Sequence, residues 1–201
     1  RFESFPYSNT CSMIIQNPNF ITDEEKDNLL SLLNSKIQGE TFYNLNFYHW
    51  IEINKTDYPQ SRFIENILSK HIDHLNKTVE KRSWKVEYCG FAYQTQGFAY
   101  HADAVWPSEE PDRNLGTPKN DGSGFIHYEG DWVPNYVPER YFTTVLFLNE
   151  VVGGETHFPN LDIKLVPEPK KLIGFHCDEN HIHGVMPTTK GVRKTFIVWF
   201  E

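Results

Sequence analysis

Three side chains in two short stretches have the types and spacing to hold a metal ion. Tyr100-His101-Ala102-Asp103-Ala104 reads as a strand. Residues i and i+2 of a strand face the same way, so His101 and Asp103 present an imidazole and a carboxylate side by side. Eighty residues beyond Asp103, His181-Ile182-His183 leads into a Pro/Gly turn and offers a second imidazole. Two histidines and one carboxylate fill three positions of an octahedral ion and leave three open, the donor set of non-haem Fe(II) oxygen chemistry. A structural zinc site prefers four closed ligands. Arg193 lies ten residues after His183, on a strand of β-branched and aromatic residues. Its planar guanidinium is always charged and grips a carboxylate with two parallel bonds. Thr195 shares that strand face and can add a hydroxyl. His-x-Asp alone arises often by chance; the weight lies in its combination with the downstream His and Arg.

The rest of the chain must position these groups. Its 201 residues fit one domain, spanning 1–201, with room for a core. Fifteen Phe, ten Tyr and five Trp favour sheet over helix. The net charge of -8, with no basic stripe, argues against nucleic-acid binding. No apolar run approaches the roughly 20 residues of a membrane span. The chain starts at Arg1 without a signal-peptide pattern, which reads as a processed or trimmed chain. Cys11, Cys89 and Cys177 form no CxxC pair, leaving one disulfide plus a free thiol or three free thiols. Sequons at Asn54 and Asn76, and Asn-Thr-Cys at Asn9, lean toward the secretory pathway or ER lumen, with the cytoplasm as the alternative.

Along the chain, residues 13–80 read as a helical support region and 83–201 as a β-core with an insertion at 104–139. Met13 to Gln16 suits a short strand. Thr22-Asp23-Glu24-Glu25 is a capping box, Leu29, Leu30, Leu32 and Leu33 give the helix an apolar face, and Gly39 suits its stop. Phe42 to Ile53 reads as one or two strands. Ser61 to Glu80 has helical spacing of Phe63, Ile64, Ile67, Leu68, Ile72 and Leu75. His71 and His74 sit on it at i and i+3 without a carboxylate partner, and read as a solvated face. The segment 106–138, with its scattered Pro and Gly, is either a floppy insertion or a lid or substrate-binding loop. Arg140 to Asn149 is the strongest strand, and Gly153-Gly154 reads as a tight turn with close backbone passage rather than a phosphate loop. Short strands at Ile163 to Pro167, Lys171 to His176 and Arg193 to Phe200 follow. About eight short strands with N-terminal helices indicate a mainly β sandwich or barrel.

These pieces together resemble the 2-oxoglutarate- and Fe(II)-dependent dioxygenases, in the prolyl and lysyl hydroxylase branch. NPNFITDEEKDNLLSLL is similar to the lead strand and first helix of prolyl 4-hydroxylase domains, and YHAD matches His-x-Asp. RYFTTVLFLN with GGETHFP resembles the core strand and Gly-Gly turn. GFHCDENHIHGVMPTTKGVRKTFIVWF resembles the closing segments of prolyl 3-hydroxylases and lysyl hydroxylases. The likeness covers residues 13–201 apart from 104–139.

The resemblance implies a double-stranded β-helix, or jelly roll, with Fe(II) held by His101, Asp103 and His183. The family's ten-residue interval to Arg193 selects His183 over His181. Arg193 would take the far carboxylate of 2-oxoglutarate, helped by Thr195. Tyr93 stands near the place of a family Tyr at the co-substrate, one residue out of spacing, and Tyr141 and Thr143 are further candidates on the core strand. Trp199 reads as a core residue, with a wall of the co-substrate pocket as the alternative, and His157 and His176 as pocket-lining or ordinary polar residues. The implied co-substrates are 2-oxoglutarate and O2, with ascorbate as an accessory reductant. The implied substrate is a prolyl or lysyl side chain in a peptide or protein. A free amino acid or other small metabolite is the alternative, and a non-catalytic binding module a further one.

Overall fold

The capping box forms as its residue types dictate. In a computed structural model describing residues 14–38, 49–53, 62–108 and 115–201, helix α1 runs over Asp23–Gln38. Glu25 donates its N–H to Thr22 Oγ1 at 3.2 Å, and Thr22 donates its N–H to Glu25 Oε2 at 2.8 Å, satisfying two of the helix's unpaired donors. Gly39 lies outside the described residues. Helix α2 covers Arg62–Thr78 and buries Ile64, Ile67, Leu68, His71 and Leu75.

Both helices pack on one face of a six-stranded antiparallel sheet. In chain order its strands are β1 (Ile15–Asn17), β2 (His49–Glu52), β3 (Val86–Gln94), β7 (Phe142–Phe147), β11 (Leu172–His176) and β14 (Arg193–Phe200). Their spatial order is β1-β11-β7-β14-β3-β2. Of the expected strand from Phe42, residues 42–48 lie outside the described part.

A second sheet contains β4 (Phe98–His101), β9 (Thr156–Phe158), β10 (Ile163–Leu165) and β12 (His183–Val185), in the order β10-β9-β12-β4. The ribbons β5 (Val105–Pro107) with β6 (Trp132–Pro134), and β8 (Val152–Gly153) with β13 (Thr188–Lys190), complete the fourteen strands of the described residues. The architecture is mainly β with two N-terminal helices: a jelly roll of antiparallel sheets.

Strand parity divides the core in two. From β7 and β14, Phe142, Leu146, Phe196, Val198 and Phe200 join the helix-facing cluster with Leu29, Leu33 and Ile67. The intervening Val145, Phe147 and Ile197 face the smaller sheet and meet Phe158, Phe175 and Leu165. Each fully buried Leu, Ile or Phe contributes roughly 1.5–3 kcal/mol, so a one-residue slip of either strand would exchange two whole faces and is strongly disfavoured.

Several expectations change here. His71 is fully buried, not solvated: it packs against Phe20, Phe196 and Phe200, and its Nδ1 donates to Ile67 O at 2.8 Å. His74 is half-buried beside Phe20. Neither belongs to a metal-ligating cluster among the described residues. Cys89 and Cys177 are both buried and Cys177 is a free thiol, while Cys11 lies outside the described residues. So do Asn9 and Asn54; Asn76 sits in α2, where its side chain accepts the N–H of Arg82.

The described part of the insertion is packed rather than floppy. Leu115 donates its N–H to Tyr100 O, and Tyr100 donates to Gly116 O, so the segment runs beside β4. Leu115, Phe125, Tyr128 and Trp132 cover Tyr100, Ala102 and Ile182 on the outer side of the smaller sheet. Gly184 is required there: a Cβ would lie 2.7 Å from the Tyr100 ring and 2.8 Å from Pro118.

Candidate active site

Antiparallel pairing of β12 with β4 sets His183 directly opposite His101, and their ring centroids are 4.4 Å apart. Asp103 follows two residues after His101, and its Oδ1 lies 3.4 Å from His101 Nε2. The ligand atoms of His101, Asp103 and His183 all fall within 4.8 Å of one another. Each imidazole is oriented through its other nitrogen. His101 Nδ1 donates to Ala99 O at 2.8 Å, and His183 Nδ1 donates to His181 O at 3.1 Å. A ring nitrogen facing a carbonyl carries the proton, which leaves each Nε2 as the lone-pair donor.

The local electrostatics favour the ligating forms. Burial pushes the His183 imidazole down to about 4, with nearby His101 adding to the effect, so it is neutral at ordinary pH. For Asp103 burial acts upward, but the neighbouring His101 and His183 side chains and the Thr143 hydroxyl together hold the carboxyl well below its usual range. The neutral His183 imidazole, the His101 imidazole and a carboxylate, converging with open space in front of them, fit a divalent transition metal such as Fe(II).

Asp103 is held from two directions. Thr143, on β7, donates its hydroxyl to Asp103 Oδ2 at 2.5 Å. With that proton committed, the Cys177 thiol is the donor in its 3.1 Å contact with Thr143 Oγ1. Burial drives this thiol far up, keeping it protonated for the purpose. Asn135, from the insertion, donates its Nδ2 to the Asp103 carbonyl at 2.6 Å and its backbone N–H to Ala104 O at 2.9 Å.

Arg193 closes the same pocket. Arg193 is 2% exposed, and its Nη1 and Nη2 donate to Gln94 Oε1 and Thr156 Oγ1, each at 3.0 Å. Gly154 lets the arginine stem pass: at φ +71° it adopts a left-handed conformation, and a Cβ there would sit 3.2 Å from Arg193 Cδ. Gln94, Thr156, Thr143, Phe98, Val185, Ile197 and Trp199 line the cavity together with the triad and Arg193. A larger groove, about 790 Å³, opens between Pro18, Glu150, Pro167 and Lys190, but it contains no metal-ligating cluster among the described residues.

The sequence candidates therefore separate. His101, Asp103, His183, Arg193 and Thr143 converge. Thr195 is fully buried on the Arg193 face of β14, and its hydroxyl has no hydrogen-bond partner. Tyr93 does not reach the pocket: it packs with the helix-facing cluster, under the Lys194 ammonium. Tyr141 is also outside, 37% exposed and beneath the Arg82 guanidinium. His181 is buried with Nδ1 2.6 Å from Asp178 Oδ1 and is not part of the triad. His157 bonds the Tyr100 hydroxyl at 2.6 Å, and His176 packs on Tyr141 and Phe142. Trp199 is a pocket wall rather than a core residue, with the Arg140 guanidinium over its ring. The sequence reading missed Gln94, Thr156, Cys177 and Asn135. Only Gln94 carried a sequence signal, the strand parity that excludes its neighbour Tyr93.

Residues 88–201 match the 2OG-Fe(II) oxygenase superfamily, and the chain belongs to that family. It is thus a dioxygenase that works with Fe(II), 2-oxoglutarate and O2. Similar solved structures include a viral collagen prolyl hydroxylase from Paramecium bursaria Chlorella virus-1, in complex with 2-oxoglutarate. It is 17% identical with a TM-score of 0.62, over 93% of this chain and 94% of that one. A Trichoplax adhaerens prolyl hydroxylase, in complex with a hypoxia-inducible factor peptide fragment, is 16% identical with a TM-score of 0.60, over 93% and 82%. HygX from Streptomyces hygroscopicus, with nickel and 2-oxoglutarate bound, is 10% identical with a TM-score of 0.60, over 94% and 82%. At these identities the likeness is one of fold. No curated protein matches the chain by sequence.

Proposed function

We propose that the chain, residues 1–201, is one oxygenase domain that hydroxylates a prolyl, or else a lysyl, side chain in a peptide or protein. The observation that carries the reading is the shared pocket: a three-ligand metal site and a buried arginine clamp, with Trp199 and Phe98 in its walls. His101, Asp103 and His183 would hold the iron, and Arg193 with Thr195 the far carboxylate of 2-oxoglutarate. Bound Fe(II), 2-oxoglutarate and O2 supply the oxidising power for C–H hydroxylation, with succinate and carbon dioxide released.

The protein's part is to fix and shield. The carbonyls of Ala99 and His181 hold the two imidazoles in the ligating tautomer. Thr143 fixes the carboxylate's rotation. The flat ring of Trp199 offers an apolar surface on which an aliphatic ring can pack. The peptide complex of the Trichoplax neighbour supports a peptide substrate.

The test is a succinate-release screen of proline- and lysine-containing peptides and free amino acids, with mass spectrometry of the product. Gain of one oxygen on a peptide prolyl residue supports the proposal. Turnover of free amino acids alone replaces it with small-molecule oxidation, and binding without turnover with a non-catalytic module. His183→Ala should abolish turnover; loss with His181→Ala alone would overturn the ligand choice.

A further inference from the structure

The pocket holds a buried donor that neither the metal triad nor the arginine accounts for. Gln94 is 1% exposed and sits on β3 directly across from Arg193 on β14. Its Oε1 accepts from Arg193 Nη1 at 3.0 Å. A guanidinium can only donate, so this bond fixes which end of the amide faces the arginine. The amide nitrogen must point away, and although buried it has no hydrogen-bond partner. A buried donor left unpaired is costly, so the site is built for an acceptor that completes it. That acceptor belongs in the cavity Gln94 lines with Arg193, Thr156 and the triad.

We infer that Gln94 is a binding residue for the far carboxylate of the co-substrate. Resting on the oxygenase reading above, it refines the clamp. The carboxylate meets the Arg193 charge and, beside it, a neutral N–H donor whose orientation Arg193 itself fixes. Gln94 therefore has two tasks. Its oxygen holds the guanidinium in place, and its nitrogen donates to the anion without adding charge. A donor of this kind discriminates between 2-oxoacids with and without a second carboxylate, because only the former supply an acceptor at that end. Tyr93, one residue earlier, cannot serve, since strand alternation turns it toward the helices.

The test compares two ligands on protein loaded with Ni(II), which stands in for iron without turnover. Calorimetry measures binding of 2-oxoglutarate and of 2-oxobutanoate, which has the same keto-acid end but no far carboxylate. Gln94→Leu should weaken 2-oxoglutarate about ten- to one-hundred-fold, as loss of a hydrogen bond to a charged group implies, and leave 2-oxobutanoate within about twofold. Should the leucine variant not fold, Gln94→Glu keeps the shape and replaces the donor with an acceptor; the same selective loss is expected. Equal weakening of both acids would make Gln94 a purely structural support, and unchanged binding of both would assign the buried amide to a water molecule. Either result overturns the inference while leaving the oxygenase reading standing. Wild-type protein that binds neither acid would sink both.

Discussion

Thr143 donates its hydroxyl to Asp103 Oδ2 at 2.5 Å, joining the strongest strand of the main sheet to the carboxylate of the metal site. The bond restricts carboxylate rotation and stabilises its charged form, as groups behind a metal ligand commonly do. Thr143→Val should lower metal affinity about ten- to one-hundred-fold, read by Co(II) titration, while Thr143→Ser should restore most of it. Equal affinity in the valine variant would show that Asp103 needs no such support.

Asn135 ties the insertion to the same ligand. Its side chain bonds the Asp103 carbonyl and accepts the N–H of Val137 at 2.6 Å. Asn135→Ala removes both bonds; Asn135→Asp keeps the acceptor toward Val137 but loses the donor toward Asp103. Both variants should weaken Co(II) binding several-fold with an unchanged circular dichroism spectrum, at about 1 kcal/mol per lost bond. If only the alanine variant is affected, the Val137 turn rather than the Asp103 contact matters.

His71 makes stability pH-dependent in a defined direction. Burial pushes its imidazole down to about 4 in the folded protein, from 6.5. Between those values the unfolded chain binds more protons, so stability falls as pH drops through this window, by up to about 3 kcal/mol from this residue. His71→Leu should unfold in urea near the wild-type midpoint at pH 7.5 and lose less stability at pH 5 under the same metal conditions. Parallel losses in the two proteins would assign the acid sensitivity elsewhere.

The convergence of His101, Asp103, His183 and Arg193 was legible in the sequence because it rests on short-range geometry or fixed spacing. His101 and Asp103 share a strand face through i, i+2, and the capping box closes within three residues. Residues whose roles depend on which strands lie side by side were harder to see. Gln94 and Thr156 meet Arg193 only because β14 pairs with β3 and the smaller sheet folds over them. Asn135 comes from a segment without periodicity. Tyr93 was a parity error of one residue, and Tyr141 stands just before β7 begins, where it turns out to Arg82. His71 was readable after all: it falls four residues after Ile67 and four before Leu75, on the apolar stripe of α2.

The position of β14 bears on how the molecule comes to be made. The strand that carries Arg193 lies between β7 and β3 in the main sheet, although every other described strand precedes it in the chain. During synthesis β3 and β7 therefore emerge with facing edges unfilled, and those edges expose Phe91, Val145 and Phe147 until β14 arrives. The nascent chain cannot finish its main sheet piecemeal. One late insertion closes the hydrogen-bond ladder, seals both cores and delivers the arginine to its pocket, so a chain cut short before this strand would be a substrate for chaperones or proteases rather than a weakened enzyme.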